Sequence, residues 1–513
     1  MSQEQRVWLA SILSAAILVA YAQVLNRSAH SKRPSSQTPI ASQQPVQVAK
    51  IENPIRPMPD EELVMLESGA LRVELGKRSG VVRSLVLKRV QDLATKRPLR
   101  IGNKSGVLMV AFADGPVAWH LRDQQATAAS WVAEGPDQLS RNLDVELDDR
   151  TSSLVVTLTA SNREAIEQKI PVKTVAMWTR GDALAGRYNL LEEVVLTKTS
   201  STWQRSHLRY LEGIRWPKSV PRGTMMVTLA ERFFCQSIKL DPGTPAETIL
   251  LPSERGTIAA EIHSSLNAKP GATVSYKAKV YFGPRDFFSL RDAGFEQAFP
   301  LGFLAKIGLV LMVALKAIAS LVRNYGIAVI LLAAGVTAIL SPFTLISVRS
   351  MKRMQELQPR MDQLKKKHAD DPKRMNQEVV ALFKEHKVSP LSGCLPMFLQ
   401  LPVFFALWSS ISHVIELRGA RFLWIKDLSL PDRLARLPHG VEFNLLPILM
   451  AAAMFFQTKL SQPKVQSSSP NPFSGPMMSV IFGVMFYQVP SGLVLYWLTN
   501  SLTSILWYKV AKV

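Results

Sequence analysis

Apolar residues follow two different rhythms along this chain. Between about 60 and 290 they alternate with polar ones, as in "ALRVEL" (Leu71, Val73, Leu75), "SLVVTLTA" and "TVSYKAKVYF" (Val274, Tyr276, Ala278, Val280, Phe282). Period-two alternation with turn signals such as Asp241-Pro-Gly between the runs predicts half-buried β-strands, and so many of them predict one large β-sandwich. Elsewhere the apolar residues come in unbroken blocks, at 7–25, 303–322, 325–347, 391–412, 443–459 and 476–508. Blocks of that kind predict helices in a membrane.

The blocks differ in kind. Residues 303–322 carry Lys306 and Lys316, with Arg323 just beyond, which suits a helix lying in the membrane interface with its lysines snorkelling to water. Residues 325–347 are charge-free and form a span, as do 391–412 and 443–459. The stretch 476–508 holds two spans, because Pro490-Ser491-Gly492 supplies a turn in its middle. Two full spans need about 40 residues, and this stretch has 33; short helices or a locally thin membrane follow. For residues 7–25 two readings stand. Ala20 and Ala22 make a pattern suited to signal cleavage, whereas the length of 19 residues suits a retained anchor. With that segment the spans number six.

The expected organisation is therefore an anchor at 1–27, a flexible Ser/Gln/Pro-rich tether at 28–58, a β-sandwich domain at 59–295, an interfacial amphipathic helix at 296–324 and a five-span core at 325–510. The fold class is an α-helical polytopic membrane protein joined to an external all-β domain.

Charge sets the orientation. The chain carries a formal +21, and 13 of that lies after residue 300, where 23 Lys/Arg face 10 Asp/Glu. The connection between the second and third spans holds 11 Lys/Arg against six acids, which makes it cytoplasmic by the positive-inside rule and puts the β domain and the 413–442 loop outside. That connection reads as a helical hairpin at 349–388, broken at Asp370-Asp371-Pro372, with Met351, Met354, Leu357, Met361 and Leu364 as a stripe along its first helix. Its basic residues, Arg349, Lys352, Arg353, Lys365, Lys366, Lys367, Lys373 and Arg374, are candidates for docking to ribosome, nascent chain or lipid headgroups; a solvated structural hairpin is the other reading.

Enzyme chemistry finds no foothold. His120, His207 and His263 have no metal-ligand spacing, the tryptophans 119, 131, 178, 203 and 216 suit a core or rim, and Cys235 and Cys394 alone argue against a disulfide framework. No cofactor or metal is expected. A carbohydrate-binding role for the β domain, as in an envelope glycan-binding protein, rests on that domain alone.

Several stretches carry a resemblance. "SPLSGCLPMFLQLPVFFALW", "IELRGARFLWIKDLS", "LLPILMAAAMFF" and "VPSGLVLYWLTNSL", with "YFGPRD" upstream, resemble the YidC/Oxa/Alb family of membrane protein insertases in its Gram-negative form. The resemblance covers about 275–510. It implies five core helices around a polar groove, an interfacial helix, a cytoplasmic hairpin and an external β-supersandwich. It also implies an inner-membrane insertase and chaperone that guides client segments into the bilayer, alone or with the Sec translocon, using no nucleotide, metal or small-molecule substrate.

The chain departs from the family at one position. The family's bacterial members typically carry an arginine in the second span, and Thr337 takes that place here; no Lys or Arg occurs from 324 to 348. A groove would then offer neutral groups: Thr337, Ser341, Gln400, Ser409, Gln488, Thr499 and Asn500 are candidates, with Trp497 at the family's groove-lining aromatic place. The alternative for each Ser or Thr is a bond to its own helix, and for an amide a bond between helices. A diverged scaffold or Sec accessory without insertase activity is the alternative function. With only Lys509 and Lys512 after the last span, ribosome contact falls to the hairpin and the 460–475 loop. Pro390 is expected to start the third span, with Pro396 and Pro402 inside it.

Overall fold

The alternating region folds as two sheets packed face to face. The structure is a computed structural model that describes residues 61–91, 96–102, 106–113, 117–134, 139–179, 194–199, 203–207, 218–220, 223–242, 244, 246–252, 257–299, 305–368, 371–386, 395–436, 442–461 and 475–510. The anchor, the tether, Cys394 and Pro390 lie outside the described residues.

Each sheet has nine antiparallel strands among the described residues. The first is centred on Gln168–Thr179 and Thr257–Ala268, the second on Ser153–Asn162 and Thr273–Pro284. Alternation works as the pattern requires: Leu71, Val73 and Leu75 are buried on one strand, Leu154, Val156 and Leu158 on another, and Tyr276, Ala278, Val280 and Phe282 on a third. These side chains fill one core between the sheets together with Trp119 and Trp131. Each large apolar side chain enclosed there contributes about 1.5–3 kcal/mol. Two hydrogen bonds pair polar groups inside this core. Trp131 Nε1 donates to the Lys77 carbonyl at 2.9 Å, and Thr174 Oγ1 and Tyr276 Oη meet at 2.8 Å across the two sheets.

Glu61 fastens the start of this domain. Its carboxylate accepts from Arg83 Nη2 at 2.7 Å, Ser79 Oγ at 2.7 Å and Ser79 N at 3.0 Å. Burial opposes its charge, but the hydrogen bonds from Ser79 and Arg83 outweigh that and hold its pKa below 4.5. A folded pKa below the unfolded one adds stability above about 4.5 that is lost as the pH falls through the folded value. Glu61→Gln should therefore lower stability at pH 7 by about 1–3 kcal/mol and shrink the difference between pH 7 and pH 4, as thermal unfolding of the full chain followed by near-UV circular dichroism will register.

Helix α1 (Phe287–Asp292) follows the last long strand, and Asp286 caps it by accepting from Ser289 N at 3.1 Å. A 3₁₀ turn at Glu296–Ala298 comes next. The helical region then comprises α2 (Ala305–Val322), α3 (Tyr325–Glu356), α4 (Gln358–Lys367), α5 (Pro372–Glu385), α6 (Leu395–His413), α7 (Leu446–Ser461), α8 (Gly475–Met485) and α9 (Ser491–Val510). Only the 325–346 part of α3 is long and apolar enough to cross a membrane among the described residues. At 1.5 Å per residue, α7 is about 24 Å long and α8 about 16 Å, both short of a ~30 Å hydrocarbon core.

Two differences from expectation have physical causes. Lys316 does not snorkel: its Nζ lies 2.9 Å from Asp286 Oδ1 and 2.9 Å from Glu416 Oε1. Burial works against its charge, but the two carboxylates offset that and raise its pKa above the ordinary lysine value. A raised lysine pKa adds stability that is fully present below about 10.5 and lost only as the pH climbs through the higher folded value. Lys316→Met leaves two carboxylates facing each other and should cost about 1.5–3 kcal/mol; Lys316→Met with Glu416→Gln should recover part of it in chemical unfolding.

The first hairpin helix is also not one piece. Helix α3 runs straight into it as far as Glu356, and α4 begins after Leu357, because Pro359 at the α4 start lacks the N–H that a continuous helix would use. Helix α6 is described from Leu395 onward and holds Pro402 in its interior, as expected. The break at Pro490 falls where expected, between α8 and α9.

The β domain and the helices meet at a tight turn. Arg232 is buried and donates to the Ser412 carbonyl at 3.0 Å and the Ser429 carbonyl at 2.9 Å. Ser412 is in the last turn of α6, where carbonyls lack intrahelical partners and a cation is favoured. Phe233 stacks under the guanidinium at 4.7 Å.

Candidate functional site

A polar seam lies where α3, α6 and α9 meet. On α9, Tyr496, Asn500 and Ser504 recur every four residues and so share a face. Gln400 Nε2 of α6 donates to Tyr496 Oη at 3.0 Å. Thr337 Oγ1 of α3 lies 2.7 Å from Asn500 Oδ1 and 2.7 Å from the Ala333 carbonyl of its own helix. Two cross-helix contacts thus join three helices through neutral groups. Thr337 comes twelve residues after Tyr325, about 18 Å along the α3 axis, so the seam sits deep between the helix ends.

The remaining candidates are placed differently. Ser341 Oγ bonds the Ala338 carbonyl at 2.8 Å, and Thr499 Oγ1 bonds the Leu495 carbonyl at 2.8 Å, each within its own helix. Gln488 is exposed in the turn between α8 and α9, away from the seam. The Ser409 side chain lies outside the described residues. Trp497 belongs to an aromatic cluster, with its ring centroid 5.0 Å from Phe404, 5.5 Å from Phe482 and 5.5 Å from Phe486. That cluster forms an apolar wall from α6, α8 and α9 beside the polar seam.

Sequence reasoning passed over Tyr496. Its ring is fully buried and its hydroxyl is the partner of Gln400; the four-residue spacing of Tyr496, Asn500 and Ser504 was the available signal. It also passed over Ser410, whose Oγ donates to the Gly308 carbonyl of α2 at 2.6 Å and the Ala406 carbonyl at 2.8 Å. A Cβ on Gly308 would come within 2.7 Å of that hydroxyl, so glycine is what lets α2 and α6 approach this closely.

The basic residues sit on the hairpin. Arg349 and Arg353 are exposed at the end of α3, Lys367 on α4, and Lys373 and Arg374 in the first turn of α5. The side chains of Lys352, Lys365 and Lys366 lie outside the described ones. Leu357, just before α4, and Leu382 of α5 form a small apolar core with Met361, Leu364 and Phe383. Asp371 caps α5, accepting from Lys373 N and Arg374 N at 3.1 Å each. Among the described residues no group of three or more His, Cys, Asp or Glu side chains could hold a metal ion.

Residues 317–512 match the family described as 60Kd inner membrane protein. A membrane protein insertase YidC from Pelobacter propionicus is 39% identical over 285 residues, which cover 54% of this chain and 52% of that protein. The chain thus spans about half the length of the curated relatives it matches. Among solved structures, an active YidC insertase with its first transmembrane domain resolved aligns over 90% of this chain and 95% of its own, at 18% identity and a TM-score of 0.37. A galactose mutarotase-like protein from Lactobacillus casei aligns over 43% of this chain and 100% of its own, at 13% identity and a TM-score of 0.33.

Proposed function

We infer, from the match of residues 317–512 to the 60Kd inner membrane protein family, that the whole chain is an inner-membrane insertase and chaperone, working alone or beside the Sec translocon. The observation that carries this reading is the neutral polar seam of Thr337, Gln400, Tyr496 and Asn500 joining three largely apolar helices. Its relatives bear the name membrane protein insertase.

A client whose polar tail must cross hydrocarbon pays several kcal/mol for each polar group left without a partner. Hydroxyls and amides inside the bilayer supply such partners on the way. The short α7 and α8 let the membrane thin beside them and shorten the crossing. Partition of the client's own apolar segment then drives the step, with no covalent intermediate and no nucleotide.

In this reading α3, α6, α7, α8 and α9 are five spans, the 7–25 segment is a sixth, and α2 lies in the interface. The hairpin faces the cytoplasm, where its arginines and lysines meet ribosome, nascent chain or lipid headgroups. The β domain faces the other side. Depletion of the protein in its native cell should leave small one- and two-span clients uninserted in a protease-protection assay, and the purified chain in liposomes should insert them unaided. Normal insertion after depletion would overturn the reading.

A further inference from the structure

A tight turn in the connection between α6 and α7 carries an unusual corner. Phe422 and Ile425 exchange both backbone hydrogen bonds, at 3.0 and 2.8 Å, leaving Leu423 and Trp424 as the corner pair. Leu423 has φ of +51° while Trp424 is not among the positive-φ residues. A positive φ at the first corner alone is the pattern that favours glycine. Here a leucine holds that place, and the residue is 75% exposed.

The turn is fixed in position. Trp424 Nε1 donates to Asp432 Oδ2 at 3.2 Å, and the same oxygen accepts from Leu445 N and Leu446 N at the start of α7. On the other side Phe422 packs so closely over Gly326 that a Cβ there would fall 2.2 Å from the ring. Gly326 is the second residue of α3, the helix suited to cross the membrane. Leu423 is therefore held beside the first turn of that helix, with exposed Arg421 and Lys426 on either side.

We propose that this turn is a lipid wedge: Leu423 enters the apolar edge of the outer-facing leaflet while Arg421 and Lys426 bind anionic phospholipid headgroups. The proposal rests on the membrane reading above. An apolar tip with basic flanks is the arrangement that an anionic membrane surface complements. A conformation that stability alone would assign to glycine is used to present an apolar side chain outward. The wedge would fix the height of the helix ends in the leaflet beside the seam.

The test places a nitroxide label at position 423 of the full chain, as Leu423→Cys with Cys235→Ala and Cys394→Ser, in vesicles of phosphatidylethanolamine and phosphatidylglycerol. Ile339→Cys on the exposed apolar face of α3 is the lipid reference and Gln124→Cys on the β domain the water reference. Collision with oxygen should exceed collision with a water-soluble nickel chelate at 423, as at 339, by a ratio several-fold above that at 124. Arg421→Glu with Lys426→Glu should move the 423 reading toward water in these vesicles and leave it unchanged in phosphatidylcholine. A water-like reading at 423 with a lipid-like one at 339 would overturn the wedge while leaving the membrane reading intact. Protection of 423 from both reagents would mean that protein covers it, which also overturns the wedge, and a water-like reading at 339 would overturn both.

Discussion

Leucine at Thr337, Gln400 and Asn500 together is expected to cut the insertion rate of a small client by about tenfold or more, with the protein still folded and present in the membrane. The two effects separate because their sizes differ. Hydrogen bonds between helices in a membrane contribute about 0.6 kcal/mol each on average, so losing Gln400–Tyr496 and Thr337–Asn500 weakens the fold little. A client polar group that loses its partner inside the bilayer costs several kcal/mol, and each 1.4 kcal/mol added to the barrier slows the step tenfold. Initial rates in liposomes, normalised to protein recovered by immunoblot, measure this. Unchanged rates would mean that the seam is only helix-to-helix glue.

Asp432→Ala is expected to cost about 3–5 kcal/mol of stability. The carboxylate is buried and one of its oxygens accepts three donors: the Leu445 and Leu446 amides and the Trp424 indole. Removing it strips the start of α7 of its acceptor, at the helix end where a negative charge is favoured, and frees the Phe422–Ile425 turn. Asp432→Asn keeps a carbonyl acceptor in place and should lose about 1–2 kcal/mol. Equilibrium unfolding in mixed micelles distinguishes the two, and equal losses would show that charge rather than hydrogen bonding dominates there.

The parts of this structure legible in the sequence are those set by short-range pattern. Strand alternation marks Leu71, Val73 and Leu75 as inward-facing, and Pro490 separates two helices because a proline ends what precedes it. Contacts between distant segments were not legible. Lys316, on a mostly apolar helix, looks like a snorkelling lysine; its partner Asp286 is 30 residues away, and only the fold brings Glu416 to the same ammonium. Arg232 sits in a turn with nothing around it to suggest that it will cap α6, 180 residues downstream.

The seam was half legible. Unpaired polar residues in apolar blocks single out Thr337, Gln400 and Asn500, since each is costly in a bilayer without a partner. Which of them pair is a matter of helix packing: Gln400 and Tyr496 are 96 residues apart. Ser341 and Thr499 show the same residue types turned inward on their own carbonyls, a local solution open to any hydroxyl in a helix. Composition alone does not separate the two cases.

Site-specific photo-crosslinking tests the central claim most directly. A photoreactive residue at 337 or 400, in the full chain engaged with a ribosome-stalled nascent client, should give adducts with the client's segment at both positions. Absence of adducts at both, with insertion still active, would contradict a client path along the seam.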